Sequence, residues 1–333
     1  MSRSLVQFPL KLVGWGLGIV GAVTLVLAAM VATPLSRLPE LGSLSKAARA
    51  VDRSTMPAPT RFSARDGTQL AYRHYAARGS ASGKIAILVH GSSGSSPAVH
   101  ALADALAARG VETYAPDIRG HGGSGTRGDI AFIGQHENDL EDLVATVRTS
   151  SPNEPLILLG HSAGGGFALR IASSPIGSKF ARTVLLAPYL GYDAPTNRPD
   201  SGGWARADIP RVLGLMALRR LGIDCCEALP TLAFAVPANS EQILVPNYSY
   251  RLMRNFATRG YKSDFAATSN PVTLFSGSSD ELMLSDKYAD AVHVVAPSVE
   301  VRLIDGVDHM GIVSDARAVS TIADEVAKAR VGS

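Results

Sequence analysis

The chain has 333 residues, 46% of them hydrophobic, and a net charge of +3. That is ample apolar material for a full core and more length than one domain usually takes, so one large domain with an insertion or appendage is expected. The charge is too small, and Lys and Arg too scattered, to argue for a nucleic-acid partner, and two adjacent cysteines, Cys225 and Cys226, build neither a disulfide framework nor a metal cage and read as ordinary buried thiols.

In chain order, the first element is a stretch without charge from Leu12 to Thr33. At 1.5 Å per residue it makes a helix of about 33 Å, against a bilayer core of about 30 Å. A cleaved signal peptide is the rival reading, with an apolar region of about 7 to 15 residues and a small-x-small site. The stretch instead ends "AAMVATP", a poor site with Pro34 close behind. Residues 1–33 are therefore read as an uncleaved N-terminal transmembrane anchor. Arg3 and Lys11 precede it and Arg37, Lys46, Arg49 and Arg53 follow, so loop charge does not set the orientation. The short basic N-tail favours placing the bulk of the chain outside the cytoplasm. Residues 34–59, with Pro34, Pro39, Pro57 and Pro59, read as a linker holding at most a short helix near Lys46.

From Thr60 the pattern changes. "RFSARDGTQLAYRHY" predicts two strands joined at Asp66-Gly67. "KIAILVHG" (84–91) is a short apolar run of the kind buried on both faces. A helix follows, with Ser96 as N-cap, Pro97 in its first turn and Gly110 past its end. "VETYAP" is the next strand, and "HENDLEDLVATV" places Leu140, Leu143, Val144 and Val147 on one helical face. "PLILLG", "RTVLLAP", "PVTLFSG" and "VEVRLI" are further strands, with helices from "SAGGGFALRIA", near 285–295 and from about Asp315 to Ala329. Such alternation predicts an α/β domain over residues 60–333, its mostly parallel sheet flanked by helices. The rhythm breaks over 190–269, so that segment is expected as a cap over the strand ends, where such sheets bind ligands.

Gly160-His161-Ser162-Ala163-Gly164 falls between a predicted strand and a predicted helix. That is the context in which G-x-S-x-G makes a sharp turn exposing a nucleophilic serine at a helix start. A serine hydroxyl needs a base, and the base needs an orienting acid. Asp280 and His309 follow in the chain order Ser, Asp, His, each just past a predicted strand. The candidate catalytic residues are therefore Ser162, Asp280 and His309. An oxyanion formed there requires backbone donors, and the N–H groups of Ala163 and of Ser92, after His90-Gly91, are the candidates. Asp308 and Glu281 are minor rivals for the acid. His90, His121, His161 and Asp117 are read as structural residues of their loops. No cluster has metal-ligand spacing and no Gly-rich loop carries a P-loop lysine, so no metal and no cofactor is expected.

"HGSSG", "RGHGGSG", "GHSAGG" and the late Asp280 and His309 together resemble the alpha/beta-hydrolase superfamily. Within it, "RGHG…S…RGD" followed by "NDLEDLV" is similar to the serine esterases of the monoacylglycerol lipase and lysophospholipase type. The resemblance covers about residues 60 to 330. It implies an eight-stranded sheet, a Ser162–Asp280–His309 triad, oxyanion donors at Ser92 and Ala163, and hydrolysis of a carboxylic ester. Ser92 and Ser93 depart from the family, which often has other small residues there, and the cap does not align. Leu213, Leu215, Met216, Leu218 and Phe234 in the cap are expected either to line an acyl pocket for a lipid-like ester or to form the cap's own core. Another reaction on the same scaffold (thioesterase, amidase, perhydrolase or C–C hydrolase) is the alternative, and a non-catalytic binding protein the remote one. Nothing in the sequence names a protein partner.

Overall fold

The structure is a computed structural model describing residues 4–44, 51–240 and 244–329, with side chains described from residue 15. Its centre is an eight-stranded sheet built from Thr60–Ser63 (β1), Gln69–Tyr75 (β2), Lys84–Val89 (β3), Val111–Pro116 (β4), Leu156–His161 (β5), Arg182–Leu186 (β6), Val272–Gly277 and Glu300–Ile304. A three-stranded sheet of Ala205–Ala207 (β7), Pro230–Phe234 (β8) and Asn247–Ser249 (β9) precedes the last two strands, which are therefore β10 and β11. The large sheet runs β1-β2-β4-β3-β5-β6-β10-β11. β2 is antiparallel to β1 and to β4, and the remaining pairs are parallel.

Period-two geometry explains the near-continuous apolar runs of the central strands. Ile85, Ile87 and Val89 of β3, with Leu156 and Leu158 of β5, face one core layer. Ala86, Leu88, Ile157 and Leu159 face the other. Gln135–Ser150 (α3) covers the first layer with Leu140, Leu143, Val144 and Val147, beside Phe167 and Leu169 of Ala163–Ala172 (α4). His100–Ala108 (α2) and Ala316–Lys328 cover the second with Leu102, Leu106, Ile322 and Val326. The start of α2 differs from expectation: a 3₁₀ turn, Ser96–Val99, precedes it, and Ser95 rather than Ser96 occupies the cap position without a side-chain bond. Pro97 favours the tight turn, and the Ser96 N–H is already taken by Asp117 Oδ1 at 2.8 Å.

Between β6 and β10 the chain leaves the large sheet and builds the antiparallel β7-β8-β9 sheet, with the helix Ile209–Arg220 (α5). Asp208 caps α5 by accepting from the Arg211 N–H at 3.1 Å. The N-terminal helix Ser4–Val31 (α1) docks its last turn on α5. Arg211 Nε donates to the Val31 carbonyl at 2.9 Å, and Thr33 Oγ1 donates to the Asp208 carboxylate at 2.8 Å. A Cβ on Gly214 would come within 3.1 Å of Met30 Cβ and Val31 Cγ2, so glycine sets this close approach.

Among the described residues no helix is long and apolar enough to cross a membrane. The described side chains of α1 begin at Trp15, and 15–31 extends only about 25 Å, short of a bilayer core of about 30 Å. The spanning helix expected over 12–33 begins outside the described side chains and is not shown. The segment after it is no free linker. The Leu41 N–H donates to Ala235 O at 3.0 Å, and Leu44 is buried in the core, while Lys46 lies outside the described residues. The cysteines also depart from expectation. Cys225 is exposed and Cys226 half-buried in the turn beyond α5, whose Leu221 and Ile223 are exposed as well.

Candidate active site

All the parallel strands end at one edge of the sheet, so the loops after β3, β5, β10 and β11 converge there. β5 ends at His161, and α4 begins at Ala163. Ser162 between them is the turn itself, at φ 54° and ψ −119°. Such a backbone costs about 1–3 kcal/mol and persists only when its surroundings impose it. Here a Cβ on Gly160 would lie 2.1 Å from the Gly164 carbonyl oxygen, and one on Gly164 would lie 2.3 Å from the His90 carbonyl oxygen. The two glycines of the motif are therefore steric necessities of the turn. The Ser162 N–H is held by Leu186 O at 2.9 Å.

His309 arrives on the loop after β11 and lines one pocket with Ser162. Its Nδ1–H donates to Asp280 Oδ2 at 2.8 Å, on the loop after β10. The other carboxylate oxygen of Asp280 accepts the N–H groups of Leu282 and Met283, at 2.8 and 2.7 Å. Burial pushes the Asp280 carboxyl up, but the His309 charge and hydrogen bond with those two N–H donors outweigh it and hold it below its usual value. Burial likewise opposes the charged form of His309, yet Asp280, helped by Glu281 and Asp308, holds it above its usual value. With Nδ1 committed to Asp280, Nε2 is the nitrogen left to take a proton.

The rival carboxylates are occupied elsewhere. Glu281 Oε2 accepts the backbone N–H of His309 at 2.9 Å, and Asp308 Oδ1 accepts that of Gly311 at 2.6 Å. His161 donates from Nε2 to the His309 carbonyl at 3.0 Å, and burial drives its pKa down to about 3, so it stays neutral. His90 donates from Nδ1 to Gly91 O at 2.7 Å and accepts the Ile118 N–H at Nε2. Asp117 accepts the N–H groups of Ser96 and Gly123.

Ser92 lines the pocket with Ser162 and His309, and Ala163 directly follows Ser162. A Cβ on Gly91 would lie 3.1 Å from Ser162 Cβ, which brings the loop after β3 against the turn. The five residues picked from the sequence therefore meet at one place. Leu44, Trp204, Leu244, Leu282 and Met310 also line the pocket, a small cleft that opens to solvent. Leu213, Leu215, Met216, Leu218 and Phe234, expected to line an acyl pocket or to form the cap's own core, do not line it. Leu213 is largely exposed on α5, which carries α1 on another side, and Phe234 lies between Trp204 and Tyr248. Trp204 and Tyr248 went unnoticed in the sequence because no motif surrounds them. Their only signal is that a buried indole or phenol needs a partner for its polar tip.

The fold is that of the α/β hydrolases, with Ser162, His309 and Asp280 gathered in it as a candidate serine-hydrolase site. A family model described as "Serine aminopeptidase, S33" matches residues 80–315, and the chain belongs to that family. A monoacylglycerol lipase of Mycolicibacterium smegmatis is 30% identical over 134 residues, which is 40% of this chain and 45% of that one. The chain spans less than half the length of the curated relatives it matches. Among solved structures, a soluble variant of monoglyceride lipase from Saccharomyces cerevisiae, in complex with a substrate analog, superposes with a TM-score of 0.62 at 16% identity, covering 83% of this chain and 95% of that one. A membrane phospholipase A described as a bacterial virulence factor gives 0.54 at 16% identity, covering 97% of this chain and 99% of that one. At such identities the likeness is one of fold.

Proposed function

We propose that the protein hydrolyses carboxylic esters with an apolar acyl group, lipid-like substrates of the monoacylglycerol or lysophospholipid type, through a Ser162–His309–Asp280 acyl-enzyme mechanism. The observation that carries this reading is the pocket: Ser162 and His309 open into a space walled by Leu44, Leu244, Leu282 and Met310, with Asp280 buried behind the imidazole. His309 Nε2 takes the Ser162 proton as Oγ attacks the ester carbonyl, and the N–H groups of Ser92 and Ala163 receive the oxyanion. Collapse expels the alcohol, which takes the proton from His309. Water, deprotonated by the same nitrogen, then attacks the acyl-serine and frees the acid and Ser162.

The family description favours one second reading, cleavage of an amide at a free amino terminus. Such a substrate brings an ammonium, which calls for a carboxylate at the site. Among the described residues lining the pocket there is none. An apolar ester is the better match.

A membrane location also belongs to this proposal, with α1 as a single N-terminal anchor and the catalytic domain on the extracytoplasmic side. It is supported by the uncharged run from Leu12 to Thr33 and by the exposure of Trp15, Leu17, Ile19, Val20, Val23, Leu25 and Val26 on α1. Apolar surface gathered in this way marks an interaction site.

The test is turnover of p-nitrophenyl esters of increasing acyl length by the full chain in detergent, beside Ser162→Ala and beside aminoacyl p-nitroanilides. Ester turnover lost in Ser162→Ala is the expected result. Turnover confined to the anilides would replace the ester reading, and equal rates in wild type and Ser162→Ala would end the serine mechanism.

A further inference from the structure

Four hydrogen bonds tie the loop after β3 to the small sheet and its flanks. Trp204 Nε1–H donates to Ser92 Oγ at 2.9 Å. The Ser93 N–H donates to Tyr248 Oη at 2.7 Å, and Ser93 Oγ–H donates to the Val245 carbonyl at 2.7 Å. The Val245 N–H returns a bond to Ser93 O at 2.8 Å. Every partner lies between 204 and 248, outside the large sheet. Ser93 itself sits at φ 65°, a conformation that a serine keeps only when held.

The two aromatic partners form one unit. Phe234 packs against Trp204 with ring centroids 5.5 Å apart and against Tyr248 at 4.6 Å, edge to face. The Tyr248 hydroxyl is fixed in direction as well. His121 directs Nδ1 at the carbonyls of Ile118 and Arg119, 3.2 and 3.4 Å away, so its Nε2 accepts from Tyr248 Oη–H at 2.6 Å. The phenol therefore gives its proton to His121 and receives one from Ser93.

These bonds flank one residue. Trp204 fixes the Ser92 side chain, and Tyr248 fixes the peptide plane that follows Ser92. The peptide that carries the Ser92 N–H precedes it, and its Gly91 carbonyl accepts from His90 Nδ1 at 2.7 Å, so that with the side chain and both flanking peptides held the Ser92 N–H has a single direction. We propose that Trp204 is a positioning residue for ester cleavage: the cap's Trp204–Phe234–Tyr248 unit, acting with the His90–Gly91 bond, aims the Ser92 N–H at the oxyanion, so that a seated cap completes the oxyanion hole. This rests on the serine mechanism proposed above and adds that the cap acts on turnover as well as on binding.

The experiment uses the full chain and a p-nitrophenyl ester. Trp204→Phe keeps a ring against Phe234 but removes the N–H, whereas Ser92→Ala removes the acceptor with little change in volume. Tyr248→Phe releases the following peptide. Thermal melts establish that each variant is folded, and Ser92→Ala tests the bond even if Trp204→Phe does not fold. A misaimed oxyanion donor is expected to lower kcat about tenfold to a hundredfold. KM should stay within about twofold, the sign of an interaction made in the transition state alone. The double variant Trp204→Phe/Ser92→Ala should be no slower than the slower single variant, because both break one bond. A trifluoromethyl ketone that forms an oxyanion on Ser162 should lose affinity in parallel with kcat/KM. Unchanged kcat with raised KM would make Trp204 only a wall of the pocket and overturn the proposal, as would multiplicative losses in the double variant. Equal rates in wild type and Ser162→Ala would overturn the serine mechanism, and this inference with it.

Discussion

A proton leaving Ser162 needs a neutral imidazole to receive it, so the titration of His309 sets the acid side of activity. Because Asp280 holds the His309 pKa above its usual value, kcat/KM should rise with pH through a midpoint above about 6.5. Asp280→Asn removes the charge that raises this pKa and leaves the burial that lowers it. The midpoint should then fall, and the rate should drop by about 10⁴ if Asp280 acts as a triad acid does. A pH–rate profile of both proteins checks each part; an unmoved midpoint would show that Glu281 and Asp308 govern His309. Stability follows the same pair. A carboxyl with a lowered pKa contributes above about pH 3.9 and loses that contribution as pH falls through its folded value. An imidazole with a raised pKa contributes below about pH 6.5 and loses it as pH rises through its folded value. The melting-temperature gap between wild type and Asp280→Asn should thus be widest between those limits. Ser162 was legible in the sequence from its turn motif, and Asp280 and His309 from their chain order and their positions just past a strand. Trp204 and Tyr248 bear no such mark. Their partners are Ser92 and Ser93, far away in the chain, and nothing local in the sequence encodes that pairing.

An amphipathic helix announces that it is covered but not by what. The segment "RVLGLMALRRLGI" read as cap material near a pocket, yet α5 spends its closest contact, at Gly214, on the last turn of α1. The proline-rich stretch after α1 read as a spacer, yet Leu41 is bonded to Ala235 and Leu44 is buried. Neither contact is marked in the sequence, since each joins residues separated by more than half of the chain. The docking is testable by truncation. Removal of residues 1–26 leaves Val31 and Thr33 in place. Removal of 1–33 strips the Val31 carbonyl from Arg211 and the Thr33 hydroxyl from Asp208, both of which are buried. Losing partners for buried polar groups costs about 1–3 kcal/mol. At about 1–2 °C per kcal/mol for a chain of this size, the shorter protein should melt a few degrees below the longer one by differential scanning fluorimetry. Equal melting temperatures would show that water replaces both contacts at no cost.

At the scale of the whole molecule, the sequence revealed most about the sheet. The inner parallel strands are short apolar runs buried on both faces, and parallel strands must deliver their C-terminal loops to one edge. That rule alone gathers the loops bearing Ser92, Ser162, Asp280 and His309. What covers the edge, and what the outer surface meets, follows no comparable rule. Apolar side chains are exposed on α1 from Trp15 to Val26 and, on α5, at Ile209 and Leu213. If α1 is the anchor, its removal up to residue 26 should be decisive for membrane binding while sparing the pocket. In flotation with phosphatidylcholine vesicles the full chain should rise with the lipid, and the chain lacking 1–26 should stay in the dense fraction with ester turnover retained. Continued flotation would move the lipid contact to Ile209, Leu213, Leu221 and Ile223, which the cap also exposes. In that case the cap itself would sit at the lipid surface, and its seating on Ser92 would depend on the same face that binds the membrane.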